Sequence, residues 1–427
     1  MTPQRREPPI SEIRDLIDLA SVLVSSVPAS AAAKVHLLRE SSRAALHPAD
    51  DPAIMVRDQL AASLAHCWEA GWLPLDIIHI VDHASAPGTG RWATAAILAQ
   101  VETLHLSFAP QQWLDQLAAL RTHDDPVGSP TPVSAADWAA ALTMLHVLRT
   151  MPRAALLLPP PSRWSASDHT PPGSGRLGPH ATTSRSSDAR MLTRIRALLA
   201  KAESTEFPAE ADACTAKAQD LMTRHAIDEA LLRSGSGESV VVTGLRVHID
   251  SPYASAKAAL LSQVAGANRT SAVWHGTMSF VTLLGVPTDV AQVEMLFTSL
   301  LVQATRAMTA AGSGPAVDRS RSFRRTFLVA YAARIGQRLA EASEEAVTRQ
   351  DFEQDTERGT SWGSDLVVVL AEQEKAVDDE TRRLFPRLRT DSRSRTLDHR
   401  GWMAGTSAAN DAVLPAGEVG PVRRARS

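Results

Sequence analysis

"MLTRIRALLAKAESTEFPAEADACTAKAQDLMTRHAID", residues 191–228, is the stretch on which the fold turns. Leu192, Ile195, Leu199 and Ala202 recur at helical spacing as one apolar stripe, with Arg194, Arg196 and Lys201 at its flanks. That pattern predicts an amphipathic helix. "STEF" interrupts it, Pro208 then suits a first helical position, and Glu210 places a negative charge in the first turn, where the helix dipole favours it. Ala211, Cys214, Ala218, Leu221 and Met222 carry the apolar face of a second helix as far as His225. Two antiparallel helices can bury stripe against stripe, and the small Ala and Cys side chains imply close approach. Residues 190–233 therefore read as a helical hairpin.

Outward from the hairpin, the hydrophobic period changes to two in "VVVTGLRVHID", which predicts a strand. A helix, "SAKAALLSQVAGAN", follows, and "TSAVWHGTMSFVTLLG" reads as two strands around a His-Gly-Thr turn. Pro287 opens a long helix, and another runs on from about Ser322. Strand, helix, hairpin, helix and helix make an α+β domain over 238–350. Residues 351–415 read as C-terminal helices joined by a basic loop, and 416–427 as a tail. Upstream, 158–189 is rich in Pro, Ser and Gly with almost nothing to bury, so it reads as a flexible, disordered linker. Residues 1–157 read as a helical N-terminal domain, in which Leu75, Ile78 and Val81 after Pro74 form a stripe expected to face its core. The fold class is mainly α with a small α+β domain.

At 427 residues the chain exceeds one ordinary core, and its formal charge of -3 supplies no bulk basic field for nucleic acid or an anionic membrane. Binding to either must be local. The N-terminal residues lack a signal-peptide core, and the strongest apolar run, "DLVVVLAEQ", is too short to span a bilayer, so no membrane partner and a cytoplasmic location are expected. Cys67 and Cys214 are too few for a disulfide framework or a cysteine zinc site.

"IRALLAKAEST", "FPAEA", "TAKAQDLM" and "RHAID" resemble the bacterial and phage family called domain of unknown function 2786. The segment from about 240 to 350, with "LLGVPTDVAQVEMLFTSL" and "SFRRTFLVAYAARIGQRL", is similar to the domain that commonly follows that hairpin. The resemblance implies a fold neighbourhood and no chemistry.

Lysine occurs only at 34, 201, 217, 257 and 375 among 44 basic residues, and two of the five lie in the hairpin. Lys201 and Lys217 are therefore candidate contacts, against the reading that they are helix formers on a solvated face. His225 near Asp228 suits an acid/base pair or two metal ligands, and equally a histidine capping the last carbonyls of its helix. His79, Asp82 and His83 share a helical face but lack the HExxH pattern, and no metal or cofactor is assigned. "GTSWG" around Ser361 formally fits a nucleophile elbow without the strand that motif needs, and "GSGRLG" fits a dinucleotide fingerprint from inside the linker. Arg319, Arg321, Arg324, Arg325, Arg334 and Arg338 could set a basic stripe against phosphates, although the acidic "AEASEEA" that follows could pair with them. "TRRLFPRLRTDSRSRTLDHR" carries seven arginines against two aspartates. Gly401 and Gly405 would let a terminal helix pack closely on a neighbour.

Lys201, Lys217, His225, Arg321, Arg324 and Arg325 are the binding candidates for a non-enzymatic binding or adaptor protein whose partner is nucleic acid or an acidic protein. The alternative is a hydrolase acting on nucleic acid, its site formed between hairpin and α+β domain by Lys201, His225 and residues such as His275 or Asp289.

Overall fold

The computed structural model describes residues 10–84, 89–121, 130–164, 179–204, 239–311, 320–358, 363–389 and 398–412, and between 205 and 238 the positions 214, 217, 218, 221, 222, 224–226 and 229. The chain divides into two compact units, Met1–Pro171 and Pro172–Ser427.

The first unit holds helices α1 (Ile10–Ser26), α2 (Pro28–Ala44), α3 (Pro52–Glu69), α4 (Pro74–Ala84), α5 (Thr89–Val101), α6 (Gln111–Arg121) and α7 (Ala135–Thr150). Prolines at the first turns of α2 and α3 are preset for a helix and lack an N–H that would be unsatisfied there anyway. Asp51 caps α3 by accepting from the Ala53 N–H, and Ser134 with Asp137 closes a reciprocal capping box on α7. Helix α7 is buried along most of its length and packs on α1 to α5, so it is the centre of this unit. Trp68, Trp72, Trp113 and Trp138 fill the core, and the indole N–H groups of Trp68 and Trp72 donate to Gln100 Oε1 at 2.7 Å and the Pro152 carbonyl at 2.8 Å.

Val81 is buried as the α4 stripe requires, but Leu75 and Ile78 are only half-buried, and Ile77 takes the core position. Asp76 is buried beside Ile77, where it accepts the Leu73 N–H at 3.1 Å. Two further features fall inside the stretch that composition marks as linker. Trp164 is buried edge-on against Trp113 at 5.0 Å, and helix α8 (Pro179–Ser204) already begins within 158–189. The "GSGRLG" stretch lies outside the described residues.

The second unit has a three-stranded antiparallel sheet, in the order β1 (Thr243–His248), β3 (Phe280–Gly285), β2 (Ser271–His275). Its helices beyond α8 are α9 (Ala254–Ala267), α10 (Pro287–Ala311), α11 (Arg321–Arg358), α12 (Gly363–Leu384) and α13 (His399–Asp411). The chain is thus mainly helical with one small sheet. Alternation along the strands gives the sheet two unlike faces. Leu245, Val247, Ala272, Trp274, Val281 and Leu283 join the core made with α9, α10 and α11. Arg246, Thr282, Phe280 and His275 occupy the other face, where α12 packs on β2 and β3. Helix α11 runs through Arg358, past the expected domain edge at 350, because nothing from 340 to 358 is a proline or glycine. A helix, not a strand, therefore leads toward Ser361, which itself lies outside the described residues.

The close approach expected of Gly401 and Gly405 is seen between α13 and α11. A Cβ on Gly401 would stand 2.6 Å from the Phe323 carbonyl oxygen, and one on Gly405 would meet the Phe327 carbonyl oxygen more closely still. Only glycine lets these two backbones touch.

Candidate functional site

In α8, Ile195 and Leu199 enter the core of the second unit, burying about 2 kcal/mol of apolar side chain each. Opposite them, Arg190, Thr193, Arg194, Ala197 and Lys201 face solvent. The second hairpin helix repeats the arrangement: Cys214, Ala218, Leu221, Met222 and Ala226 are buried, while Lys217 and Arg224 are exposed. His225 is half-buried, and Asp228, its suggested partner, lies outside the described residues. Every arginine and lysine described in the hairpin from Arg190 onward therefore points outward: Arg190, Arg194, Arg196, Lys201, Lys217 and Arg224. Among the described residues Arg190 and Arg194 have no acidic partner.

Arg196 lies beside an open cavity of about 290 Å³ between α8 and α10, lined also by Leu199, Ala200, Glu294, Met295 and Thr298. Loss of hydration beside the core pushes the Glu294 carboxyl up from its usual range, and the Arg196 charge pulls it back. Arg196 is accordingly engaged with the protein's own surface.

Behind the hairpin lies a buried polar cluster. Asp289, in the first turn of α10, is only 2% exposed; its Oδ1 stands 3.5 Å from Arg269 Nη2, and its Oδ2 accepts from Gln373 Nε2 at 2.6 Å. Burial pushes the Asp289 carboxyl above the usual aspartate range; Arg269 draws it down, and Glu229 of the hairpin pushes it up. Arg269 holds a left-handed backbone, φ 53°, and its buried Nε finds no partner among the described residues. The groups that hold Asp289 are thus Arg269 and Gln373, with the Glu229 charge opposing, and none is Lys201, His225 or His275. His275 is engaged on the sheet's polar face, where its Nε2 lies 3.0 Å from Thr282 Oγ1 and its ring stacks on Phe280 at 4.4 Å.

The α11 arginines divide into two sets. Arg321 is exposed and Arg324 and Arg325 are half-buried at the helix start, where Ser320 Oγ accepts the Phe323 N–H at 3.0 Å. Arg319 lies outside the described residues. Arg334 and Arg338 do not extend a phosphate-facing stripe as their spacing suggests. Arg334 donates to Asn410 Oδ1 at 2.6 Å, and Arg338 donates to the carbonyls of Ala409, Asn410 and Ala412, closing the end of α13. In the first unit, His83 Nδ1 contacts its own helix at the His79 carbonyl, 3.0 Å away, and Asp82 is bonded to the backbone of Gly90.

Arg190 and Arg194 were not singled out by their sequence, because arginine is the ordinary cation of this chain. The signal that finds them is spacing: with Lys201 they fall at i, i+4 and i+11, on the face opposite Ile195 and Leu199. Arg269 and Gln373 carry no local signal, since they meet Asp289 only through the tertiary fold.

Residues 190–229 match the family model described as protein of unknown function (DUF2786), in agreement with the resemblance seen in the hairpin. No curated protein and no solved structure matches the chain. No helix among the described residues is long and apolar enough to cross a membrane.

Proposed function

We propose that this chain is a cytoplasmic, non-enzymatic binding protein whose second unit contacts nucleic acid through the outer face of the hairpin. The observation that carries the reading is the outward cation set of Arg190, Arg194, Lys201, Lys217 and Arg224, on the side of the two helices opposite their buried stripes. Lysine and arginine that neutralise phosphates release condensed counterions, so such a face binds a polyanion in spite of a net charge of -3 over the whole chain. Arg321, Arg324 and Arg325 at the start of α11 would add a second, weaker contact, because Arg324 and Arg325 are half-buried. In this reading Asp289 and its partners hold the α+β domain together beneath the contact face.

The test is fluorescence anisotropy of labelled DNA and RNA against the full chain in a salt series. The logarithm of the affinity falls linearly with log salt, and Arg190→Ala/Arg194→Ala lowers the slope by about two, one for each phosphate contact removed. Lys201→Ala/Lys217→Ala weakens binding in the same manner, and Arg321→Ala/Arg324→Ala weakens it less. No binding of either polymer at low salt defeats the proposal.

A further inference from the structure

We infer that the polymer held by this face is a duplex gripped by its phosphates, not an unpaired strand; the inference rests on the hairpin being a nucleic-acid contact. The exposed positions described on α8 from Arg190 onward are Arg190, Thr193, Arg194, Arg196, Ala197, Ala200, Lys201 and Ser204. Cations thus stand above a floor of small side chains, and small side chains let a helix come close to a convex ridge. Helical rise sets Arg190 and Arg194 about 6 Å apart along the axis, and Arg194 and Lys201 about 10.5 Å apart.

The array stands on a fixed backbone. Ile195, 0% exposed, and Leu199, 4% exposed, anchor the inner side of α8 in the core, so the Cα atoms that carry the outer cations keep their helical spacing. Regularly spaced cations gain most from a partner whose charges are equally regular and dense. A duplex presents one negative charge per about 1.7 Å of axis, twice the density of a single strand at the same rise. Proteins that hold single strands combine a basic groove with aromatic faces on which bases stack, at about 1–3 kcal/mol per base. Small aliphatic and hydroxyl side chains fill the places between the cations here, and they match a sugar-phosphate ridge better than splayed bases.

The experiment compares a labelled duplex of about 20 base pairs with each of its strands alone, using the full chain from about 50 mM to about 200 mM salt. The duplex is expected to bind at least about tenfold tighter than either strand, which corresponds to roughly 1.4 kcal/mol. Arg190→Ala/Arg194→Ala should reduce the duplex salt slope by about two, and Arg190→Lys/Arg194→Lys, which keeps both charges, should retain it. Strand binding equal to or tighter than duplex binding overturns the inference and leaves the nucleic-acid reading standing. A duplex slope untouched by the alanine pair overturns the assignment to this face. Failure of duplex and strands alike at the lowest salt overturns the nucleic-acid reading itself.

Discussion

Arginines of the second unit have opposite fates on two of its helices. On α8, Arg190 and Arg194 stand in solvent above a buried aliphatic stripe, while on α11, Arg334 and Arg338 turn onto α13 and close its last carbonyls. Arg269, between α9 and β2, goes further inward and pairs with a buried aspartate. The difference teaches that an arginine's role here follows from the face it occupies and from what packs above that face. Arg338 is spent on a helix end that brings four unsatisfied carbonyls, whereas the outer side of α8 has no described helix packed over it.

Four measurements sharpen or break this contrast. The largest effect is expected at Asp289, where replacement by alanine leaves the Arg269 guanidinium and the Gln373 amide buried without their partner; chemical denaturation should show a loss of about 3–5 kcal/mol. The pH dependence at this position has a definite sign. Burial raises the native carboxyl above its unfolded value, so protonation stabilises the fold, fully below the unfolded value near about 3.9, and that contribution fades as pH rises through the native value. Denaturation midpoints of Asp289→Asn should therefore vary less over this range than those of the parent. An intermediate effect, about 2 kcal/mol, is expected for Arg338→Ala, which frees the α13 carbonyls from a charged donor while leaving nucleic-acid affinity unchanged. The smallest belongs to Arg190→Ala/Arg194→Ala, whose stability should stay within about 0.5 kcal/mol of the parent even as binding weakens. A stability loss there comparable with that of Arg338→Ala would erase the distinction between inner and outer cations.

Much of the architecture was legible because it is written in short-range periodicity. Ile195 and Leu199 face the core as their i, i+4 spacing requires, the alternation in "VVVTGLRVHID" gives β1, and Gly401 and Gly405 mark the place where α13 touches α11. The α4 stripe failed because Ile77, and not Leu75 or Ile78, lies toward the core, a choice made by what packs on the helix. The candidate site was legible only in part. Lys201 and Lys217 stood out by rarity, while Arg190 and Arg194 were hidden among the many arginines of this chain.

By itself the sequence determined that α8 and β1 form and which side of each is apolar, though not which side of α4 is buried, because those properties depend on residues three or four apart in a helix and two apart in a strand. Only the tertiary structure decided that Gln373 reaches Asp289 across 84 residues and that Arg334 reaches Asn410 across 76. The physical reason is that a polar side chain's partner is chosen by packing between elements, and a periodic pattern along one element carries no information about its neighbour.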